Sequence, residues 1–354
     1  MPETMQAWAV VEHEKPLQKI ERPIPEPKGT EVLVKVTHCG ICHSDLHFWH
    51  GYYELGGGKR YYLKERGAKL PHALGHEILG TVAKLGPDAD NIPLGASRIV
   101  YPWTGCQKCR RCQEGDDNLC LAQQSRGIHV DGGFAQYVLV PHAKYLVDHE
   151  GIDPAIACTF GCSGLTVLSS IQKLMPIHPQ DPILLIGAGG LGLAGIAMLR
   201  ALGHEKIISA DISPEKLQTA LDAGATAVVN SADGDAVKAV IDAAGEPVFG
   251  VLDFVNNGPT AELGFASMAK GGKMVAVGIL GGRLDLSLVS MIFRSLTLQG
   301  NITGALRHLE EVTKLAKEGK FTPAHFTEVP WDEASDALMR LKDGKVTGRL
   351  ILVH

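Results

Sequence analysis

The sequence lacks any excess of positive charge. Its 34 Lys and Arg residues are outnumbered by 39 Asp and Glu residues, and the formal net charge is −5 at pH 7. Proteins that bind nucleic acid or an anionic membrane usually present a basic surface, so we expect neither partner. The first residues (MPETMQAWAVVEHEKPLQKIE) contain no basic segment followed by an apolar one. This argues against a secretory signal, and a cytoplasmic location is the expectation that follows.

Internal repeats, low-complexity tracts and blocks of like charge are also missing. The composition, 45% hydrophobic and 21% charged, is that of a globular protein with a large core. At 354 residues the chain exceeds one typical domain, so we expect two. Eight cysteines without a secretory signal favour metal or redox chemistry over disulfides. They are Cys39, Cys42, Cys106, Cys109, Cys112, Cys120, Cys158 and Cys162.

The stretch Pro182–Asp211 predicts a dinucleotide-binding unit. An apolar run enters the glycine-rich segment GAGGLG (residues 187–192), a helical pattern follows, and a second apolar run stops at Asp211. This order places the helix N-terminus against a pyrophosphate and an acid on the adenosine ribose. Asp211 would repel a 2′-phosphate, which favours NAD over NADP. A buried helical hairpin or a membrane span is the alternative, since Ile183–Leu199 carries no charge; its glycines and the spacing to Asp211 argue against it.

Roles follow for the individual glycines of this segment. Gly187 allows the tight turn after the strand, Gly189 allows the backbone to approach the pyrophosphate, and Gly192 allows the helix to pack closely on the strand. Gly190 and Leu191 open the helix and are expected to line the same cofactor site.

Strand and helix patterns alternate from residue 181 onward, which predicts a parallel, doubly wound α/β sheet. The predicted strands are Ile183–Ile186, Lys206–Ala210, Ala227–Val229, Gly250–Phe254, Lys273–Val277 and Leu296–Gly300. The predicted helices are 214–223, 233–244, 260–268 and 287–293, followed by 304–318 and 332–343. The chain before residue 150 has instead the alternation and Pro-rich turns of short β-strands. A helix is predicted over 153–175, and residues 51–73 are predicted to form a long loop.

Four cysteines lie close together in a glycine- and charge-rich segment, at Cys106, Cys109, Cys112 and Cys120. Four thiolates at this spacing are typical of a closed, tetrahedral structural zinc site. An iron–sulfur cluster also uses four cysteines, and disulfides are the third alternative; the short spacing before Cys120 favours zinc.

Cys42, His76 and Cys162 form a dispersed second set, each in a segment rich in small residues. Three N/S ligands that leave a fourth position open are the arrangement of a catalytic zinc, which polarises a bound oxygen and lowers its pKa. From spacing alone, a lone His or Cys is more often a buried core residue.

These motifs, taken in order, resemble the zinc-containing alcohol dehydrogenases of the medium-chain dehydrogenase/reductase family. The resemblance rests on GICHSDLH (residues 40–47), GHE (75–77), the four-cysteine lobe, CSGLTV (162–167), GAGGLG and the terminal GRLILV (348–353), and it spans essentially the whole chain. It implies an α/β protein in which a GroES-like, β-rich catalytic domain (1–163 and 303–354, with the structural zinc lobe at 105–120) encloses a Rossmann domain (164–302) that binds NAD.

The resemblance also implies residue roles. Cys42, His76 and Cys162 would hold the catalytic zinc, Asp45 would orient His76, and Glu77 would approach the metal during ligand exchange. Ser44 would take the alcohol proton and His47 would pass it to solvent. The implied cofactor contacts are His43, Thr166, Gly187, Gly189, Gly190, Leu191, Gly192, Asp211, Lys216, Val277 and Arg349. The alternatives are that Ser44 caps a helix, that Asp45 is the acid of its first turn, and that His47 lies on the surface.

The implied activity is reversible hydride transfer between a primary or secondary alcohol and NAD, giving an aldehyde or ketone. Ser44 stands where some relatives have Thr and leaves more room, which favours bulky or aromatic alcohols. A polyol or amino-alcohol dehydrogenase of the same family is one alternative, and a non-catalytic NAD- and zinc-binding protein is another. The resemblance implies a homodimer or homotetramer, with Leu296–Ile302 as the pairing edge.

The chain departs from the family at residues 53–72, which are longer than the usual turn before GHE. This segment is expected either to cover the active-site mouth or to reshape an intersubunit edge. Its tyrosines supply aromatic contacts or hold the loop in place, and the second is favoured.

Overall fold

A computed structural model describes residues 3–322 and 325–354, so residues 1–2 and 323–324 of the predicted catalytic domain lie outside the described parts of the chain. The strands are β1 Thr4–Val10, β2 Gln18–Pro23, β3 Val32–Ile41, β4 Tyr52–Gly56, β5 Lys59–Tyr62, β6 His72–Ala73, β7 Glu77–Leu85, β8 Ser97–Val100, β9 Tyr137–Val140, β10 Leu146–Asp148, β11 Ile183–Ile186, β12 Ile207–Asp211, β13 Ala227–Asn230, β14 Val248–Asp253, β15 Met268–Ala276, β16 Thr297–Gly300, β17 Phe326–Pro330 and β18 Arg349–Val353. The helices are α1 His43–His50, α2 Arg110–Gln113, α3 Pro154–Thr159, α4 Leu165–Leu174, α5 Gly190–Ala201, α6 Pro214–Asp222, α7 Ala236–Ala244, α8 Gly258–Ser267, α9 Leu288–Arg294, α10 Leu306–Lys317 and α11 Ala334–Lys342.

The second half of the chain forms the predicted doubly wound sheet. Six parallel strands lie in the order β13-β12-β11-β14-β15-β16, with helices in the connections between them. The central strand β11 (ILLI) is buried at every position, as expected of a parallel strand covered on both faces. All six predicted strands are present; the largest difference is that β15 begins at Met268 rather than at Lys273.

Both ends of the chain meet in one β-rich region. A seven-stranded sheet runs β10-β8-β7-β3-β18-β17, with β9 also paired to β3. The C-terminal strand β18 pairs antiparallel with β3, and Leu350 lies opposite Ile41. The arrangement agrees with a catalytic region built from the two ends of the chain, while the division at residues 163/164 and 302/303 stays a prediction.

A single helical segment, Pro154–Leu174, passes through that predicted boundary. It consists of α3, a π-helical turn at Phe160–Gly164 and α4, and it matches the helix predicted over 153–175. Its length and apolar composition would suffice to cross a membrane, but 89% of its most apolar window is buried inside the protein. Such burial is what an interior helix of a globular fold requires.

The prediction of a loop at 51–73 is wrong. Residues 52–62 form the antiparallel hairpin β4–β5, a 3₁₀ helix follows at Leu63–Arg66, and β6 ends the segment. Tyr52 pairs with Tyr62 and Tyr53 with Tyr61, so the tyrosines of each pair lie opposite each other on the two strands that the turn at Gly56–Gly58 connects. Cross-strand aromatic pairs stabilise a hairpin, and glycines supply the left-handed backbone that its turn needs.

Candidate functional site

Sheet pairing brings two of the predicted catalytic zinc ligands together. Cys42 immediately follows β3 and His76 immediately precedes β7, and the two strands pair so that Gly40 lies opposite Glu77. Cys162 arrives from the π-helical turn, a local widening that is frequent at functional sites. The ligand atoms of these three residues all lie within 4.8 Å of one another, and all three residues are buried.

His76 shows that this cluster fits a metal. Its Nδ1 lies 3.4 Å from Asp45 Oδ1, and both ring nitrogens are buried without a well-formed hydrogen bond to any of the described residues. Burial lowers the pKa of His76, but Asp45 and Cys42 outweigh it and raise that pKa to about 10. A buried imidazole close to two cysteine sulfurs, with Nδ1 beside a carboxylate, is the ligand arrangement of a zinc site.

Asp45 is fixed at the centre of this arrangement. Its side chain is fully buried; Oδ2 accepts from the backbone N–H of Cys42 at 2.8 Å, and Oδ1 accepts from that of Gly75 at 3.1 Å. Asp45 is also an acid of the first turn of α1, which was the alternative to its predicted role of orienting His76. The two roles coincide, because one carboxylate satisfies the helix start and faces His76.

The predicted proton-relay residues lie on α1, directly after Cys42. Ser44 and His47 are three residues apart, which places them on the same helix face, and both are partly exposed. Burial, followed by the neighbouring His43, lowers the pKa of His47 to about 4, so its ring is neutral at pH 7 and can accept a proton. Trp103 closes the site from another side, with its ring centroid 5.2 Å from that of His76.

Arg349 connects the metal cluster with the glycine-rich loop. Its guanidinium pairs with the buried carboxylate of Glu77, the neighbour of His76. The aliphatic part of its side chain packs on Gly190, the first residue of α5: a Cβ at Gly190 would lie 2.5 Å from Arg349 Cδ. The pairing of Arg349 with Glu77 was not predicted, although both residues were identified separately.

The glycine-rich loop has the shape required for a pyrophosphate. Gly187 adopts a φ of 97°, and a Cβ at Gly192 would lie 1.8 Å from the carbonyl oxygen of Gly187, so both positions require glycine. A Cβ at Gly189 would meet nothing within 4 Å, and no side chain caps the N-terminus of α5. An open approach to uncapped N–H groups is a binding site for phosphate.

Asp211 closes the adenosine end of the loop. Its Oδ2 accepts from the backbone N–H of Ala188 at 2.8 Å, and its Oδ1 accepts from that of Ser213 at 3.0 Å. Each oxygen therefore keeps a lone pair for a ribose hydroxyl.

The other predicted cofactor contacts lie around the same cleft. Burial is the largest cause that lowers the pKa of His43; Cys42 opposes it, and the nearby positive charges of Arg349 and Lys216 lower the pKa further, so a neutral His43 lies close to both cations. Thr166 follows Cys162 by one helical turn, and its buried hydroxyl has no hydrogen-bond partner among the residues described. Val277 follows β15, with its N–H on the carbonyl of Asp253 at 2.9 Å, and Leu191 lies in the first turn of α5.

The four-cysteine lobe has the dimensions of a tetrahedral metal site. The ligand sulfurs of Cys106, Cys109, Cys112 and Cys120 all lie within 4.8 Å of one another. The Cys109 Sγ atom is 3.6 Å from that of Cys112 and 3.8 Å from that of Cys120, close to the edge of about 3.8 Å that Zn–S bonds of about 2.3 Å give a tetrahedron. These separations are too long for disulfides, and all eight cysteines are free. Backbone N–H groups point at two of the sulfurs, from Cys109 to Cys106 and from Ala122 to Cys120.

Two features of the site were not predicted from the sequence. The ring of Tyr53 lies on that of His47, with centroids 5.3 Å apart, because β4 turns back over α1. The hairpin tip also contacts the loop around Gly282. The mirrored tyrosine pairs around the glycine triplet were the signal for this hairpin. Trp49, on the same helix, is buried and donates its indole N–H to the carbonyl of Lys15.

A dinucleotide-binding sheet that faces a buried Cys₂His cluster defines a two-domain, metal- and dinucleotide-dependent oxidoreductase. Comparison with known proteins identifies the family. The alcohol dehydrogenase GroES-like domain matches residues 28–150, and the zinc-binding dehydrogenase domain matches residues 190–318. The chain belongs to the zinc-containing medium-chain alcohol dehydrogenases.

Individual relatives agree over the full length. An NAD-dependent alcohol dehydrogenase of Sulfurisphaera tokodaii is 34% identical over 99% of this chain and 100% of its own. The crystal structure of the alcohol dehydrogenase from the hyperthermophilic archaeon Aeropyrum pernix superimposes with a TM-score of 0.90 at 26% identity, covering 99% of this chain and all of that one. The D-arabinose dehydrogenase of Sulfolobus solfataricus gives a TM-score of 0.83 at 27% identity over 99% of both chains. The comparisons confirm the predicted family, the α/β fold class with GroES-like and Rossmann parts, the oxidoreductase class, and zinc and NAD as cofactors.

Proposed function

We propose that this chain is an NAD-dependent zinc alcohol dehydrogenase that interconverts primary or secondary alcohols with aldehydes or ketones. One observation carries the proposal: the buried ligand atoms of Cys42, His76 and Cys162 lie within 4.8 Å of one another, beside the Arg349 that connects this cluster with the glycine-rich loop. Zinc held by Cys42, His76 and Cys162 would polarise the alcohol oxygen, and NAD would accept the hydride.

The chain's own residues supply the proton path. Ser44 is the first hydroxyl beyond Cys42 on α1, and its Oγ makes no hydrogen bond with any of the described residues, which leaves it free for the substrate. The neutral ring of His47 is the next acceptor on the same helix face and is partly open to solvent. Ser44 would receive the alcohol proton and His47 would pass it outward. Asp45 keeps His76 oriented, and Trp103 excludes water from the buried side.

Cofactor residues support NAD rather than NADP. The carboxylate of Asp211 is held by two backbone N–H groups and cannot turn away, so a 2′-phosphate would meet a fixed negative charge. Arg349 would place positive charge at the pyrophosphate, with His43 as a neutral contact beside it, and Lys216 would lie near the adenosine ribose. Thr166 and Val277 would line the nicotinamide end.

The test is NADH formation at neutral to alkaline pH with short, long, cyclic and benzylic alcohols, repeated with NADP and after chelation. Chelator-sensitive turnover with NAD supports the proposal and ranks the substrates. Absence of turnover with every alcohol, in protein shown to hold zinc and bind NADH, would refute it. The resemblance to the D-arabinose dehydrogenase favours sugars or polyols as the second candidate, so the panel includes them.

We also propose a homodimer that pairs through β16, either alone or as half of a tetramer. All residues of β16 are exposed at the edge of the parallel sheet, where an unpaired ladder invites another strand. The adjacent α9 carries Leu288, Val289, Ile292 and Phe293, each at least 60% exposed. Light scattering of the wild type and of the Phe293→Glu variant tests this: the variant should become monomeric, and a monomeric wild type would refute the proposal.

We propose a cytoplasmic location as well, which the eight thiols outside disulfides support.

A further inference from the structure

The hairpin β4–β5 spans the distance between the two domains. It leaves the catalytic region directly after α1, where Gly51 ends the helix in a left-handed conformation. At its base, Tyr53 lies on the ring of His47 and packs against the main hydrophobic core. The base of the hairpin is therefore fixed to the element that carries the proposed proton relay.

The tip of the hairpin contacts the nucleotide-binding domain. A Cβ at Gly56 would lie 2.6 Å from the carbonyl carbon of Gly282, and a Cβ at Gly57 would lie 2.8 Å from Arg283 Cζ. From the other side, a Cβ at Gly281 would lie 1.9 Å from the carbonyl oxygen of Glu54. Backbone packs directly on backbone here, and side chains at these glycines would push the two surfaces apart.

The contacted segment belongs to the cofactor site. Residues 278–283 directly follow Val277, and Gly278 packs against the backbone of Val255, beside the glycine-rich loop. Gly281 also forms a β-bridge with Asn257. A hinge motion that separates the two domains must therefore break the hairpin contact, together with every contact that both domains make to a dinucleotide.

We propose that the hairpin is a latch between the two domains, which keeps the cleft closed over the bound dinucleotide and slows the release of NADH. The inference rests on the proposed function in that the dinucleotide leaves as NADH. Since the latch adds its own contacts to the closed arrangement, its loss accelerates opening, and dissociation of NADH accelerates with it.

Glycine pairs in the chain provide matched variants. Gly56→Ala places a methyl group against Gly282, and Gly58→Ala is its control. Both glycines are left-handed, with φ of 77° at Gly56 and 75° at Gly58, but a Cβ at Gly58 would meet nothing within 4 Å. On the other domain, a methyl group in Gly281→Ala collides with Glu54, and Gly271→Ala is its control. The φ angles are similar, 86° at Gly281 and 83° at Gly271, but a Cβ at Gly271 would meet nothing within 4 Å. Each pair separates the contact across the cleft from the backbone strain of the substitution.

The experiment measures the NADH dissociation rate by stopped-flow displacement with excess NAD, in full-length zinc-loaded enzyme. Gly56→Ala and Gly281→Ala should each accelerate dissociation at least about fivefold, the low end of couplings between sites. The double variant should show no further acceleration, because either change alone opens the latch. Gly58→Ala and Gly271→Ala should match the wild type. Arg283→Ala, which only removes the side chain lying on Gly57, should also accelerate NADH dissociation. It tests the same contact without changing a glycine, in case the glycine variants misfold.

The latch is refuted if the folded contact variants release NADH at the wild-type rate, or if the control variants accelerate release equally. The readout needs no alcohol. Unchanged NADH release in an enzyme that turns over alcohols overturns only the latch, whereas accelerated release in a chain without alcohol turnover supports the latch and refutes the proposed function.

Discussion

Asp45→Asn tests the assignment of the Cys₂His cluster most directly. The wild-type carboxylate is acceptor-only and faces two backbone N–H groups and His76 Nδ1. An amide of the same shape has one oxygen, so its NH₂ group must face at least one of these donors. A buried donor without an acceptor costs about 1–3 kcal/mol. Removal of the carboxylate behind a ligand histidine typically lowers metal affinity by about 10–100-fold.

The assay is zinc content per chain after dialysis against a graded series of chelator concentrations. The wild type should retain two zinc ions, and Asp45→Asn should lose one of them at about 10–100-fold lower chelator strength while the four-cysteine lobe keeps the other. Activity with alcohols should fall in parallel with the lost ion.

Asp253→Asn is the matched control. Asp253 is also fully buried, accepting from the N–H groups of Val255 and Asn256 and from the hydroxyl of Thr260, but it lies in the parallel sheet, away from both clusters. It should lower the free energy of unfolding by a similar amount and leave both zinc ions in place. If Asp45→Asn holds both ions as tightly as the wild type, or if Asp253→Asn loses the same ion, Asp45 has no special role at a metal site.

Three further predictions follow from single residues. Burial lowers the pKa of His47 from 6.5 to about 4, so its contribution to stability is complete above pH 6.5 and is lost as the pH falls towards 4. In urea unfolding at pH 7 and 4.5, His47→Gln should therefore lose about 2 kcal/mol less of its free energy of unfolding than the wild type does. An equal loss in both proteins would contradict this. Gly105→Ala places a methyl group 2.5 Å from Cys112 Sγ, so zinc analysis should show loss of one ion per chain with His76 still metal-bound. Asp211→Ser should lower kcat/KM for NAD at least about tenfold and raise it for NADP; an unchanged ratio of the two would exclude Asp211 from the ribose site.

Residues with local signals were predicted well. The strand β11 was placed with the observed bounds because an uninterrupted apolar run ends at Gly187, and parallel strands buried on both faces have this pattern. The four cysteines of the lobe are close in sequence, so their spacing alone indicated a common ligand. Cys42, His76 and Cys162 carried no such local signal. Only the resemblance united them, because the pairing of β3 with β7 and the π-helical turn that bring them together are long-range properties.

The hairpin shows why the remainder was missed. A glycine triplet flanked by charged and aromatic residues fits both a loop and a hairpin turn. Its flanking strands are half-buried (β4) and exposed (β5), so apolar periodicity was lacking. Its contact with Gly281 and Gly282 joins segments more than 200 residues apart, and no pattern in either segment encodes the other. The pairing of Arg349 with Glu77 was missed for the same reason.

Glu77 shows how strongly the site depends on groups from distant parts of the chain. One carboxylate oxygen accepts from Arg349 and from the N–H of Ser163, while the other is buried against Gly40 without a hydrogen bond to any described residue. An ionised carboxylate with one bare oxygen is costly in a dry interior unless positive charge lies close by. Arg349 provides that charge, whereas zinc bound by two thiolates would carry no net charge. Glu77, the neighbour of His76, therefore depends on a guanidinium from the C-terminal strand, and the same side chain lies on the glycine-rich loop.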